Sequence, residues 1–123
     1  MTQTLEGVFH QGDQKRFDYT PSGADIANGE IVNIGSNLVG ICTDPEGIAD
    51  GVLGALAVDG VFKIKKDAID TFAAGVKVAW DDTAKQAEPD GGANDDFTLG
   101  QCIKAAAASD DHVLVWINHE VPT

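Results

Sequence analysis

The sequence predicts an all-β fold, namely a small antiparallel β-barrel or sandwich with one short helix at residues 67–74. About eight to ten short runs have the alternating or β-branched pattern of strands, and turn signals separate them roughly every 8–12 residues. The chain also contains 14 glycines, which suits many tight turns and bulges.

A chain of 123 residues favours a single domain. We expect a flexible arm at residues 1–8, one β domain at residues 9–118 and a short tail at residues 119–123. The N-terminus has neither a basic segment nor an apolar core, so it does not resemble a signal peptide. No apolar run approaches the roughly 18 residues of a membrane span. These features predict synthesis in a cytoplasm.

The charge excludes some partners. The formal net charge is −12, from 20 acidic and 8 basic residues. Nonspecific binding to nucleic acid and attraction to anionic membranes both need a cationic face, so neither is expected. The acidic surface has two interpretations, which are general solubility and a surface that stays near packed DNA without adhering to it.

The N-terminal half contains the clearest turns. Residues 8–10 and 16–20 read as short strands, and Asn28-Gly29 is a strong turn signal. Residues 30–34 and 38–42 predict a tight hairpin. Asp59-Gly60 lies between two further β-prone runs and predicts a second hairpin.

Residues 60–82 read as strand, short helix and strand. Asp67 stands where a helix N-cap is expected, and Ile69, Phe72 and Ala73 have the spacing of one apolar helix face. Gly75 follows at the usual position of a left-handed C-cap. A helix this short is too small for a parallel crossover, so we expect it to cover one open end of the barrel or sandwich.

The C-terminal part predicts three further strands. Residues 84–87 return antiparallel to the preceding strand, and residues 88–96 form an acidic loop. Alternation resumes at residue 97. Residues 112–118, HVLVWIN, form a nearly continuous apolar run, which predicts a central strand buried on both faces.

The two tryptophans lie in apolar strands. Trp80 and Trp116 are both expected in the core, with each indole N–H reaching a loop acceptor. The alternative is an interface role, since tryptophan is enriched at binding hot spots.

No motif predicts catalysis, a cofactor or a metal. The three histidines lack metal-ligand spacing, and the acidic clusters lack the order of a calcium loop, so solvated loop acids are favoured over a site. Neither a Walker loop nor a nucleophile elbow is present. Cys42 and Cys102 lie in apolar strands and are expected as buried free thiols, with a disulfide as the alternative.

The order of these signals resembles a family of small tailed-phage capsid cement, or decoration, proteins. The tightest similarity is AGVKVAWDD at residues 74–82, where the family has a glycine, a strand, an aromatic residue and one or two aspartates. Further similarities are QGD at 11–13, NGEIV at 28–32, NLVGI at 37–41, GVFKI at 60–64, LGQCIKAA at 99–106 and the strand at 113–117. Together they cover residues 9–118.

The resemblance implies a structural, non-enzymatic virion protein. Such proteins bind the outer surface of the expanded phage head, often as homotrimers, and stabilise contacts between major capsid subunits. Leu5, Val8 and Phe9 in the N-terminal segment are the candidate capsid-binding residues, and a frayed terminus is the alternative. Two other functions remain open, namely another virion accessory (a head-fibre base or tail component) and a small β-barrel ligand-binding module or enzyme.

Overall fold

The computed structural model describes residues 7–11, 15–35, 38–91 and 95–119. These ranges contain ten β-strands and no helix. The strands are β1 (Gly7–Gln11), β2 (Arg16–Tyr19), β3 (Ile31–Gly35), β4 (Leu38–Ile41), β5 (Gly54–Ala57), β6 (Val61–Lys65), β7 (Lys77–Asp81), β8 (Gln86–Pro89), β9 (Phe97–Cys102) and β10 (His112–Ile117). Within the same ranges, no helical segment has the length and apolarity needed to cross a membrane.

The strands form two antiparallel sheets. The six-stranded sheet has the order β1-β6-β10-β9-β7-β8, and the four-stranded sheet has the order β2-β5-β4-β3. Among the described residues neither sheet closes into a barrel, although an isolated bridge between Lys66 and Ala87 brings the end of β6 close to β8. The predicted all-β class is confirmed, and the architecture is consistent with a small sandwich.

The main core lies between the inner faces of the two sheets. Trp80 is its largest fully buried side chain, and it shares the cluster with Phe62, Leu99 and Val115 of the six-stranded sheet. Ile41 contributes from the four-stranded sheet. Burying an aliphatic or phenylalanine side chain of this kind stabilises the fold by about 1.5–3 kcal/mol.

A second, smaller core covers the outer face of the four-stranded sheet. Leu56 adjoins Ala57 of the main core in β5, and successive strand side chains point to opposite faces. Leu56 therefore packs on the outer side, together with Cys42, Ile26 and Ile48. Backbone hydrogen bonds between Ile26 and Ile48, of 2.8 and 2.7 Å, tie the covering loops together.

The predicted helix at residues 67–74 is wrong. Asp67 does accept a hydrogen bond from the Ile69 backbone N–H at 3.1 Å, so the capping chemistry exists, but it caps a turn. Phe72 exchanges backbone hydrogen bonds with Ala106 at 3.0 and 2.9 Å, which uses the groups that a helix would need. Phe72 is consequently buried, whereas Ile69 is 79% exposed.

The predicted hairpin at Asp59-Gly60 is also wrong. β5 pairs with β2 and β4, whereas β6 pairs with β1 and β10, so this bend carries the chain from one sheet to the other. An alternating strand can pair with the next strand in the sequence or with a distant one, because both bury the same face. Here β5 and β6 each pair with other strands and not with each other. The other predicted hairpin, β3–β4, is confirmed.

The position predicted for β10 is confirmed, but its two-sided burial is wrong. β10 lies between β6 and β9, as expected of a central strand. Val113, Val115 and Ile117 are buried, whereas Trp116 on the opposite face is 39% exposed. The run is therefore half-buried, because β-branched residues occupy the inward positions and the intervening residues face outward.

Both cysteines are free and buried, as predicted. Burial raises the pKa of the Cys42 and Cys102 thiols. The thiolate form, which reacts, is therefore scarcer than in an exposed cysteine.

Lys66 is a buried cation, with 3% of its surface exposed. Its Nζ donates to the backbone carbonyls of Asp67 at 3.0 Å and Asp70 at 2.7 Å, so it holds the turn that replaces the predicted helix. Lys66→Met keeps most of the apolar stem but removes both hydrogen bonds. We expect the free energy of unfolding, measured in urea, to fall by about 2 kcal/mol.

Lys65→Met is the matched control for this prediction. Lys65 is adjacent in sequence but half-buried on the other face of β6. We expect a change within about 0.5 kcal/mol for this surface substitution. Equal stabilities of the two variants would show that the Lys66 ammonium does not hold the turn.

Candidate functional site

The predicted capsid-binding residues lie in or ahead of β1. Leu5 is outside the described residues. Val8 and Phe9 belong to β1, where the backbone register pairs Val8 with Lys63 and Phe9 with Phe62. The structure therefore brings two of the three residues into one strand of the main sheet.

β1 is the terminal strand of the six-stranded sheet. An edge strand offers backbone N–H and C=O groups that another chain can pair with by β-augmentation. A bulge between Phe9 and Gln11 interrupts the regular register at the end of the strand. Among the described residues no strand pairs with the outer edge of β1, which makes this edge a candidate binding element.

The outer face of the same sheet carries a group of basic and apolar side chains. We call it the lysine–tryptophan face, and it comprises Lys63, Lys65, Lys104, Leu114 and Trp116. Register pairs Lys63 with Leu114, so these two side chains lie side by side on one face. Lys63, Lys104 and Leu114 also line a groove of about 240 Å³, together with Asp110 and His112.

Trp116 is held in position from two sides. Its indole Nε1 donates to Asp59 Oδ1 at 3.1 Å. The His119 ring stacks on it with centroids 3.8 Å apart and an interplanar angle of 4°. An ordered, exposed tryptophan is the kind of residue that forms interface hot spots.

The two tryptophans therefore differ in role. Trp80 is fully buried, as predicted, and its Nε1 donates to Asp82 Oδ1 at 3.2 Å. The core placement predicted for Trp116 is wrong, and its exposure favours the interface alternative. The sequence did contain a pattern that could have predicted an outward Trp116. Within HVLVWI, Val113, Val115 and Ile117 alternate with Trp116, and these three residues fill the inward positions.

Two described lysines outside this face form ion pairs with carboxylates. Lys77 lies 3.6 Å from Asp90, and Lys85 lies 2.8 Å from Asp82. Among the described residues, no carboxylate lies within ion-pair distance of Lys63, Lys65 or Lys104.

Carboxylates crowd around the edge strand β8. Partial burial, together with the charges of Asp70, Asp81 and Asp95, raises the pKa of Glu88. We call Asp70, Glu88 and Asp95 the acidic edge. Lys66 Nζ already lies close to this group, 2.7 Å from the backbone oxygen of Asp70.

The turn after β7 shows how neighbouring acids can be accommodated. Buried Asp81 accepts hydrogen bonds from the backbone N–H groups of Thr83 at 2.9 Å and Ala84 at 3.1 Å. Partial burial opposes ionisation of Asp82, but hydrogen bonds from Lys85 and Trp80 outweigh it and lower its pKa. These acids have structural partners within the turn.

A family model described as phage cement protein matches residues 10–117. The chain belongs to the phage cement protein family. The match spans β2 to β10 and begins within β1, so it includes the whole lysine–tryptophan face. This cement-family chain is a structural phage protein, as the sequence resemblance implied. Comparisons with curated proteins and with solved structures gave no match.

Proposed function

We propose that this protein binds the outer surface of the expanded phage head and stabilises contacts between major capsid subunits. The family match over residues 10–117 carries the proposal, because cementing is a structural role within the virion. The protein is made in the bacterial host cytoplasm and acts on the virion without catalysing a reaction. Its partners are the major capsid protein and two further copies of itself, in a homotrimer.

Two physical features support this function. The six-stranded sheet ends in β1, whose edge can accept a strand of a capsid subunit. The net charge of −12 keeps the protein from competing for the DNA inside the head. Leu5, Val8 and Phe9 are the proposed capsid contacts.

Co-sedimentation with heads tests the proposal. Purified protein is mixed with expanded, undecorated heads and separately with unexpanded heads, and each mixture is sedimented. We expect saturable binding to expanded heads, and we expect those heads to resist heat or chelator better than undecorated heads. Absence of binding to both forms would refute the proposal.

Removal of residues 2–6 is expected to weaken head binding by about tenfold or more, since the segment contains the apolar anchor Leu5. The deletion leaves β1, which starts at Gly7, in place. A longer deletion through Phe9 would also remove residues that pair with β6 and would confuse binding with folding. The dissociation constant from co-sedimentation is the measurement.

Two controls accompany the deletion. Circular dichroism and thermal unfolding should match the full chain, because the retained strands are unchanged. A deletion of residues 121–123 should bind heads normally. If the 2–6 deletion also binds with unchanged affinity, the proposed role of the N-terminal segment is wrong.

A further inference from the structure

We propose that the loop ahead of β5 binds the capsid through Val52 and Leu53, which insert into a pocket of a capsid subunit with an apolar floor and a basic rim. We call these two residues the apolar tip. The inference rests on the proposed function and adds to it a second capsid contact, separate from the N-terminal segment. The exposure, the local order, the charge and the position of the loop support it.

The apolar tip is strongly exposed. Val52 is 53% exposed and Leu53 is 66% exposed. Among the large hydrophobic residues that are exposed in the described part of the chain, these two alone are adjacent in the sequence. A single exposed aliphatic residue is ordinary, whereas contiguous apolar surface with a polar rim is typical of interaction sites. The fold of one chain therefore leaves this apolar surface in water.

Backbone hydrogen bonds order the loop that carries the tip. The Val52 N–H donates to the Ala49 carbonyl at 3.0 Å and closes a turn. Gly51 occupies the third position of this turn with a φ of +79°, which favours glycine. The Gly51 N–H donates to the Pro21 carbonyl at 2.9 Å, so the turn is also attached to the preceding loop.

Asp50 strengthens the attachment between the two loops. Its Oδ1 accepts a hydrogen bond from the Gly23 N–H at 2.8 Å, and its own N–H donates to Asp25 Oδ1 at 2.8 Å. The backbone around the tip is thus fixed before any partner arrives. Binding then costs little ordering of this backbone, which favours affinity.

The surroundings of the tip are anionic. Residues 21–30 and 43–54, which meet through the paired backbones of Ile26 and Ile48, contain no Lys, Arg or His. Their acidic residues are Asp25, Glu30, Asp44, Glu46 and Asp50. An anionic membrane and a second copy of this chain, whose net charge is −12, both lack the complementary charge. A capsid pocket with basic residues around an apolar floor provides it, and an apolar centre with a polar rim is the usual anatomy of an interface.

The tip and the N-terminal segment lie on different layers of the molecule. The loops that carry the tip cover the outer face of the four-stranded sheet, whereas β1 is an edge of the six-stranded sheet. A protein that stabilises contacts between capsid subunits must hold more than one subunit, so it needs at least two separate surfaces. The N-terminal segment holds one subunit, and the apolar tip holds its neighbour.

Leu53→Ser tests the contact, because it removes apolar surface at a position that is already mostly in water. We expect the dissociation constant for expanded heads, measured by co-sedimentation, to rise about tenfold or more. Leu53→Met keeps an apolar side chain and should bind within about threefold of wild type. Circular dichroism and thermal unfolding of both variants should match the wild-type protein.

Ile69→Ser is the matched control. Ile69 is 79% exposed in the turn between β6 and β7, so the same chemistry is changed at a more exposed position outside the tip. We expect its head affinity to change by less than about twofold. Equal affinities of the Leu53→Ser and Ile69→Ser variants would overturn the proposal.

Photo-cross-linking identifies what the tip touches. A Leu53→Cys variant is labelled with benzophenone maleimide, bound to heads and irradiated. The native thiols of Cys42 and Cys102 are buried, so the label goes to the new one. We expect cross-links to the major capsid protein, with their peptides located by mass spectrometry. Cross-links only to a second copy of this chain, or none at all, would refute the contact.

Head stability separates this inference from the proposed function. At protein concentrations that saturate the heads, the Leu53→Ser variant should lose most of the heat resistance that wild type confers, because one of two subunits is released. If the variant protects heads as well as wild type at equal occupancy, the second contact is wrong and cementing stands. If wild-type protein binds neither expanded nor unexpanded heads, the proposed function fails, and this inference fails with it.

Discussion

Gly100→Ala is expected to reduce the free energy of unfolding by about 3 kcal/mol or more, which is at or above the upper end of the usual range for single substitutions. A Cβ atom at this position would lie 2.1 Å from the backbone oxygen of Trp116 and 2.9 Å from its carbonyl carbon. These are backbone atoms of the central strand β10, which pairs with β9 at this point. The clash can be relieved only by separating the two strands.

Gly51→Ala isolates the contribution of the clash. Gly51 has a φ of +79°, and a Cβ atom added there would have nothing within 4 Å, so its substitution introduces backbone strain alone. We expect it to cost about 1–2 kcal/mol. Urea unfolding of both variants gives the comparison. If the Gly100→Ala variant is as stable as the Gly51→Ala variant or more stable, the close approach of β9 and β10 does not require glycine at position 100.

Trp80→Ala is expected to destabilise the protein by about 3–5 kcal/mol, the range measured for large aromatic residues removed from cores. Trp80 is fully buried at the centre of the main core and is the largest such side chain among the described residues. Its removal leaves a cavity and takes away the indole donor to Asp82. Chemical denaturation followed by far-ultraviolet circular dichroism measures the loss.

Phe17→Ala is the matched control for the core substitution. Phe17 is also aromatic and lies in β2, but it is 39% exposed. We expect a loss below about 1.5 kcal/mol, since much of its surface is already in contact with water. Similar losses for the two variants would mean that Trp80 does not anchor the core.

Head binding provides a further distinction between these positions. Neither Gly100 nor Trp80 belongs to the lysine–tryptophan face or to the N-terminal segment. Their variants should therefore bind heads normally at temperatures where they remain folded.

Local chemistry made many elements of the fold predictable. Alternation placed β3, β4 and β10, and turn residues placed the hairpin between β3 and β4. The same chemistry predicted buried thiols at Cys42 and Cys102. These features depend on side-chain polarity along a short segment, which the sequence displays directly.

Pairing between distant segments was not predictable in this way. The capping residue Asp67 initiates a turn in either outcome. The hydrogen bonds of Phe72 to distant Ala106, and those of Lys66 Nζ to the carbonyls of this turn, use groups that a helix would need. Likewise, Asp59-Gly60 suits a hairpin, but β5 and β6 find partners in different sheets. Long-range pairing overrides local preference because each strand needs a neighbour that also buries its apolar face.

The sequence by itself determined the all-β class, the family resemblance and the absence of a recognisable catalytic motif, since these depend on residue order and composition. Only the tertiary structure decided which tryptophan is core and which is surface, because alternation separates Trp116 from Val113, Val115 and Ile117 without showing which of the two faces is buried. Trp80 faces the second sheet, whereas Trp116 faces outward between Asp59 and His119. The lysine–tryptophan face exists because β6 and β10, far apart in sequence, are adjacent in the sheet.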